Sequence, residues 1–334
     1  MKEITTVGLD LAKNVFQVHA IDADGAVLVR RQVRRAQVLL FFSRLQSCLI
    51  GMEACAGAHY WARELAKLGH EVRLIPPSYV KPFVKRGKTD AADAEAICEA
   101  VTRPNMRFVP VKTERQQAVL MQHRARDFLI RQLTQLANAI RAHLGEFGIV
   151  VPKGVHNIGR LIAEAEGANL PPEARMPLDL LAGQFHDTKQ RIDVMTAQIK
   201  ADAEVDETAR RLQTMPGIGP ITASVLAATL PDVSSFRSAR DLPAWLGLTP
   251  KPHSSGGKER LGSISKMGNR YIRRLLYLGA MGVMAARKCS DPGTDWLGCL
   301  IATKPLKVAA IALANRMARA IWAMLRTGEA WRPA

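Results

Sequence analysis

The first third of the chain carries an order of short apolar runs that few folds accommodate. Five runs rich in β-branched residues have the length of strands, and they cover residues 4–10, 15–21, 27–33, 48–53 and 71–75. Asp24-Gly25, between the second and third runs, is a hairpin-turn signal. Helical stretches separate the later runs, a helix is expected from Thr89 to Arg103, and a last strand is expected at residues 106–111. This order predicts an α/β domain whose sheet begins with three antiparallel strands.

Three antiparallel strands followed by strands that alternate with helices are the order of a ribonuclease-H-like, or RuvC-like, fold. The rest of the chain is predicted to be helical. An apolar stripe between residues 129 and 144 and a second pattern over 178–203 predict a long helical pair, either a coiled coil or ordinary helix packing. The expected domains are therefore an α/β domain at 1–112, a helical linker at 113–205 and a compact helical domain at 206–334.

The charge of the chain indicates a polyanionic partner. The 334 residues include 47 Lys and Arg but only 30 Asp and Glu, which gives a formal net charge of +17. From Lys251 to the end there are 15 Lys and Arg against 4 Asp and Glu. A chain this basic usually binds nucleic acid.

Cysteine usage and hydropathy suggest the compartment. None of the five cysteines forms a Cys-x-x-Cys pair, so neither a zinc finger nor a disulfide framework is predicted. The N-terminus lacks the apolar core of a signal peptide. The most apolar late stretch, residues 308–325, is interrupted by Arg316 and Arg319 and therefore predicts an amphipathic helix and not a membrane span. The expected location is the bacterial cytoplasm, in association with the nucleoid.

Four acidic residues stand at the ends of predicted elements. Asp10 ends the first strand, Glu53 ends the fourth, and Asp90 and Asp93 open a helix with a spacing that places both on one face. Converging carboxylates repel one another unless cations lie between them, and two divalent ions about 3.5–4 Å apart would clamp both reacting oxygens of a phosphodiester. Oxygen ligands favour Mg²⁺ or Mn²⁺. Each acid taken alone has a simpler structural interpretation. Asp90 could cap its helix, and Asp10 could be a turn residue at the end of its strand.

Two later motifs suit phosphate groups. Met215-Pro-Gly-Ile-Gly-Pro before a helix is similar to a helix-hairpin-helix, in which Gly217 and Gly219 would let backbone N–H groups approach a phosphate; an ordinary joint between helices is the alternative. The second motif is a polar Ser-Gly loop followed by Ile264-Ser-Lys-Met-Gly-Asn. Its basic residues suit phosphate oxygens, and they are Lys258, Lys266, Arg270, Arg273 and Arg274.

The motifs together resemble those of a known family. Gly8-Leu-Asp-Leu-Ala-Lys, Gly51-Met-Glu-Ala and Lys88-Thr-Asp-Ala-Ala-Asp-Ala are similar to the motifs of the DEDD transposases. That family includes the one-hundred-ten group of insertion sequences, with its eleven-eleven subgroup, and the Piv-type DNA invertases. The resemblance covers nearly the whole chain. It implies that Asp10, Glu53, Asp90 and Asp93 are metal-site acids.

The resemblance also implies a nucleophile and further partners. Related recombinases link DNA covalently to a serine in the Ser-Gly loop, where Ser255 aligns and Ser254 is its immediate neighbour. Donor and target DNA would be bound with the guidance of a non-coding RNA that the element encodes, by a homo-oligomer of two or four chains, without a membrane.

Two other functions remain open at this point. A structure-selective nuclease of the Holliday-junction-resolvase type would need the acids but not Ser255. A non-catalytic nucleic-acid-binding protein would need the basic surface but no metal.

Overall fold

The computed structural model describes residues 3–85, 87, 89–230, 232–253, 260–287 and 295–332. The chain divides into two compact units, Met1–Arg115 and Gln116–Ala334. The first unit is α/β, and the second is built of helices with one small hairpin. The domain boundaries predicted after residues 112 and 205 remain predictions.

The first unit is organised around a five-stranded mixed sheet. Its strands are β1 (Thr6–Asp10), β2 (Val15–Ile21), β3 (Val27–Arg34), β4 (Leu49–Glu53) and β5 (Glu71–Ile75). They lie in the order β3-β2-β1-β4-β5. The first three strands are antiparallel to one another, whereas β4 is parallel to β1 and β5 is parallel to β4. The observed topology is consistent with the predicted ribonuclease-H-like domain.

Helices cover both faces of this sheet. They are α1 (Val38–Phe42), α2 (Ala58–Lys67), α3 (Pro77–Val80) and α4 (Asp90–Val101). Alternate strand residues point to opposite faces. One face buries Leu9, Phe16 and Met52 with Trp61 and Leu65 of α2. The other face receives α4, whose apolar residues pack with Ile75 of β5.

The strand predicted at residues 106–111 does not form. The structure has a single bridge there, in which the Val109 amide donates to the Leu74 carbonyl over 2.7 Å. Pro110 has no N–H group to donate to a ladder, so the pairing stops at the residue before it.

The second unit contains the long helical pair that the apolar stripe predicted. Its helices are α5 (Glu114–Gly145), α6 (Ile158–Glu166), α7 (Pro172–Val205), α8 (Glu207–Leu212), α9 (Pro220–Thr229), α10 (Asp241–Trp245), α11 (Arg270–Ala286), α12 (Trp296–Thr303) and α13 (Leu306–Thr327). Bonds from Gln122 to Asp202 (3.0 Å) and from Arg126 to Thr196 (2.7 Å) join α5 to α7. The partners advance in opposite directions along the chain, so the pair is antiparallel.

Helix α13 is long and apolar enough, by length and composition, to cross a membrane, and within the described part of the chain it is the only such helix. In the structure it is a core helix: Ala310, Ala314 and Ile321 are fully buried. Arg316 and Arg319 lie on its exposed side. This is the amphipathic helix that the sequence predicted.

Two short strands pair at the ends of the loop predicted at residues 253–262, of which residues 254–259 lie outside the described residues. Strands β6 (Pro250–Pro252) and β7 (Leu261–Ile264) pair antiparallel, and the His253 amide donates to the Arg260 carbonyl over 2.7 Å. Proline and glycine have low strand propensity, so the two prolines in β6 and the glycine in β7 explain why these strands were not predicted.

Candidate functional site

Asp10 and Glu53 are neighbours at one end of the sheet. They are the last residues of β1 and β4, which are parallel, and the residues just before them, Leu9 and Met52, are paired. Parallel strands in register bring equivalent side chains to the same face. The structure therefore places these two predicted site residues side by side.

Two glycines allow α4 to approach this face closely. Gly8 and Gly51 are paired in the ladder, each two residues before an acid. A Cβ atom built at Gly8 would overlap the Ala94 carbonyl oxygen and lie 2.5 Å from the Cys98 amide nitrogen. Any side chain at Gly8 would thus push α4 away from the sheet. Sequence reasoning missed the role of these glycines, although a glycine inside a strand signals a close backbone approach.

The first turn of α4 carries the other two acids. Its N-cap is Thr89, whose hydroxyl accepts the Ala92 amide over 3.2 Å. The capping alternative for Asp90 is therefore wrong, because Thr89 has that role. Asp90 and Asp93 both lie in the first turn.

The electrostatics of Asp10 reflect both its burial and the charges of the other three acids. Burial raises the pKa of Asp10 from its ordinary value to about 6, and the charges of Asp93, Asp90 and Glu53 add to this effect. Burial, with the charges of Glu53 and Asp10, also raises the pKa of the neighbouring Cys55 thiol. A cavity of about 570 Å³ opens beside them, lined by Glu53, Asp93 and Lys81 together with apolar residues.

The donor set fits divalent metal ions such as Mg²⁺ or Mn²⁺. All four side chains supply carboxylate oxygens, and a cation would offset the repulsion that adds to the effect of burial on the pKa of Asp10. Among the described residues, no three side chains of His, Cys, Asp or Glu already stand close enough to hold a metal ion. The charges of the other three acids act on Asp10, and metal binding by the four acids remains a prediction.

Substituting Gly8 with alanine should disrupt this site through α4. The added methyl group meets backbone atoms that cannot rotate away, so we expect a loss of about 3 kcal/mol or more in the free energy of unfolding. Chemical denaturation of purified variants measures it. Gly183→Ala is the control, since that position in α7 has open space around it. Equal stability of Gly8→Ala and the wild-type protein would contradict the packing argument.

The serine motif belongs to the second unit. Ser254, Ser255 and Lys258 lie outside the described residues. After β7, the Ser265 amide donates to the Thr249 carbonyl over 2.8 Å. Lys266 follows with φ of 54°, and no other non-glycine residue in the described part of the chain has a positive φ. Such a conformation is uncommon for lysine and marks a strained turn directly after the hairpin.

The basic residues around α11 are used in different ways. Arg273 donates to the Leu246 carbonyl over 2.8 Å and to the Met267 carbonyl over 2.7 Å, so it holds the strained turn. Arg274 forms an ion pair with Asp127 of α5. Lys266 and Arg270 are exposed, and no acidic residue stands in the first turn of α11. Lys266 and Arg270 are thus the more accessible pair for a phosphate group.

A buried histidine anchors the start of α11. His123 is 1 % exposed. Its Nδ1 lies 3.3 Å from the Tyr271 hydroxyl and its Nε2 lies 3.1 Å from the Ser224 hydroxyl. Burial, with the charge of Arg126, lowers the pKa of His123 to about 4. The neutral ring therefore ties α5 to α9 and α11, a role that the sequence analysis did not identify.

The two glycines of the predicted helix-hairpin-helix differ in their surroundings. Gly217 has φ of 85°. A Cβ atom there would lie 2.8 Å from the Gly279 carbonyl oxygen of α11. Gly219 is exposed before α9, with open space where a Cβ would stand. Gly217 thus has a packing role, whereas phosphate binding at both glycines remains a prediction.

Comparison with known proteins identifies the family. One family model, described as the transposase IS116/IS110/IS902 family, matches residues 209–292, and a second, described as transposase, matches residues 7–149. A probable family 20 transposase of Pseudomonas aeruginosa is 47% identical over 99% of both chains. The transposase for insertion sequence element IS1111A of Coxiella burnetii is 38% identical over 99% of this chain and 92% of its own length. The pilin gene-inverting protein of Moraxella bovis is 24% identical over 85% of this chain and 84% of its own length.

Both family models describe transposases, enzymes that cleave and recombine DNA. The chain belongs to the IS110/IS116/IS902 family of insertion-sequence transposases. The resemblance found in the sequence motifs, including the relation to the invertases, is confirmed, and DNA is a partner of the protein.

Proposed function

We propose that this transposase uses a metal-bound acidic site together with a serine nucleophile. Asp10, Glu53, Asp90 and Asp93 would hold Mg²⁺ or Mn²⁺. The observation that supports this proposal is the pKa of Asp10, which burial raises to about 6 with a further contribution from the charges of Asp93, Asp90 and Glu53. Groups with strongly perturbed pKa values in a cleft are common at active sites.

Different residues of the chain would have different roles in the reaction. The four carboxylates fix the position of the ions, and Lys81 at the rim of the adjoining cavity offers a positive charge to a neighbouring phosphate. When bound, the ions stabilise the charge that develops on the phosphodiester oxygens. The hydroxyl of Ser255, or of Ser254 in the alternative, attacks the phosphorus. A bond to the serine oxygen forms, the bond to one strand's sugar oxygen breaks, and that oxygen leaves with a proton.

The basic surface of the second unit would bind nucleic acid. Lys266 and Arg270 are exposed beside the amide groups that open α11, and Lys258 and Gly219 would add further phosphate contacts. Donor and target DNA, an RNA encoded by the element and a homo-oligomer of two or four chains complete the proposal. The site of action would be the bacterial nucleoid.

Metal binding to the acidic site should depend on pH in a specific window. A proton on Asp10 competes with the ion, and its pKa of about 6 means that the competition fades as pH rises. We expect Mn²⁺ affinity to increase about tenfold between pH 5 and pH 7, as one-proton competition requires. Electron paramagnetic resonance of free Mn²⁺ measures the affinity. Asp10→Asn should bind weakly and show no such step, whereas a flat wild-type profile would contradict the proposed site.

A further inference from the structure

Strand β3 exposes a polar face that the acidic site and the serine motif do not explain. Arg30, Gln32 and Arg34 alternate along one side of this edge strand, and all three are exposed. We call these three residues the arginine track. Val33, which points the other way, is buried.

The track lies on the same face of the sheet as the acids. Gln32 is paired with Gln17, and Gln17 is paired with Asp10. Side chains of paired residues project to the same face, so Asp10, Gln17 and Gln32 form one row across the sheet, in which Gln17 is buried and Gln32 is exposed. Strands are spaced by about 4.8 Å, which puts Gln32 about 10 Å from Asp10.

The positive charge of the track is largely uncompensated. No ion pair within the described part of the chain involves Arg30 or Arg34. Arg30 acts on the carboxylate of Glu95, but Lys85 already binds that carboxylate over 2.7 Å. Outward charges also protect edge strands from pairing with other chains. That purpose does not require them to flank the row that contains Asp10.

We infer that the arginine track binds the sugar–phosphate backbone of the DNA strand that reacts at the acidic site. The guanidinium groups of Arg30 and Arg34 bind phosphate oxygens through paired N–H donors, and the Gln32 amide donates between them. This inference rests on the proposed function, because the DNA strand that the track would bind is the one proposed to react at the acidic site.

The test compares two double variants that lose the same charge. Arg30→Gln with Arg34→Gln removes the track. Arg31→Gln with Arg35→Gln removes two charges from the opposite face, where Arg31 stacks on Phe41 at 4.7 Å and Arg35 on Trp61 at 5.1 Å. Binding of a labelled single-stranded DNA to the full-length protein is measured in chelator over a range of salt. The log–log salt slope should fall by about 1.4 for the track variant, at about 0.7 per lost contact, and stay nearly unchanged for the other.

Three results would overturn the inference. These are an unchanged slope for the track variant, equal losses in both variants, and a loss that appears with single-stranded RNA but not with DNA. A second measurement keeps the test valid if the variants lose stability. A photoreactive phenylalanine analogue in place of Gln32 should crosslink to the DNA, and the same analogue in place of Arg31 should not.

Failure of the inference can be told apart from failure of the proposed function. Binding in chelator needs no metal, so it does not depend on the acidic site. If the track binds DNA but Asp10→Asn keeps full recombination activity, only the acidic-site proposal fails. If Asp10→Asn is inactive while the track variant binds DNA as the wild type does, only the track fails.

Discussion

Substituting Asp10 with asparagine is expected to reduce DNA cleavage and recombination by at least about 10³-fold. Burial raises the pKa of Asp10 and the charges of the three other carboxylates raise it further, so a bound cation would stabilise its charged form. A metal contributes several kcal/mol to a phosphoryl transition state, and each 1.36 kcal/mol is about tenfold in rate. Gel analysis of strand cleavage with Mg²⁺ measures the loss.

The loss should not come from unfolding. Asparagine has nearly the shape of aspartate, and it removes one of the repelling charges. Metal-free Asp10→Asn should therefore be at least as thermally stable as the wild type at neutral pH. Glu99→Gln on α4 is the matched control, because Glu99 is paired with Arg103 at the exposed end of the helix and such a pair contributes little. Near-normal cleavage by Asp10→Asn would contradict the acidic-site proposal.

Substituting Ser255 with alanine is expected to remove the covalent protein–DNA adduct and all recombination. No other group would then form the bond to phosphorus. The fold should remain intact, because the loop is polar and its base is held by the bond between His253 and Arg260. Denaturing-gel migration of labelled DNA shows whether an adduct forms.

Ser254→Ala is the control for the assignment of the nucleophile. It should leave both adduct and product. If Ser255→Ala stays active while Ser254→Ala does not, the nucleophile is Ser254. If both variants recombine DNA, the serine mechanism is wrong. A resolvase-type reaction, in which activated water attacks, would then account for the acids better.

The strands could be predicted where turn signals in the sequence enclose an apolar run that the fold buries. The bounds of β2 and β5 were predicted to the residue, since each is an apolar run between turn signals. Residues 106–111 misled the prediction because their apolar character is strand-like while Pro110 prevents a ladder. The paired strands β6 and β7 were missed because two prolines and a glycine give them a low strand propensity.

The positions of the four acids at the ends of elements could be predicted from the sequence, but the packing of α4 against the sheet could not. Close packing of α4 depends on Gly8, which faces Ala94 and Cys98, and on Gly51, which faces Ile97 and Val101, and these contacts are visible only in the structure. Likewise, Arg273 and Arg274 look like phosphate ligands in the sequence. In the structure, Arg273 is bonded to backbone carbonyls and Arg274 is paired with Asp127. Charge alone does not say which arginines remain available for nucleic acid.

Iron-directed cleavage of the chain tests the acidic site most directly. Fe²⁺ bound in place of Mg²⁺ and supplied with hydrogen peroxide and ascorbate would reduce the peroxide to hydroxyl radicals, which cut the backbone near the ion, while ascorbate returns Fe³⁺ to Fe²⁺. We expect the backbone to be cut in three separate segments, around Asp10, around Glu53 and around Asp90 and Asp93. Excess Mg²⁺ should suppress all of them together, and Asp10→Asn should abolish them. Cuts confined to other parts of the chain, or cuts that persist in Asp10→Asn, would contradict the claim that these four acids form one metal site.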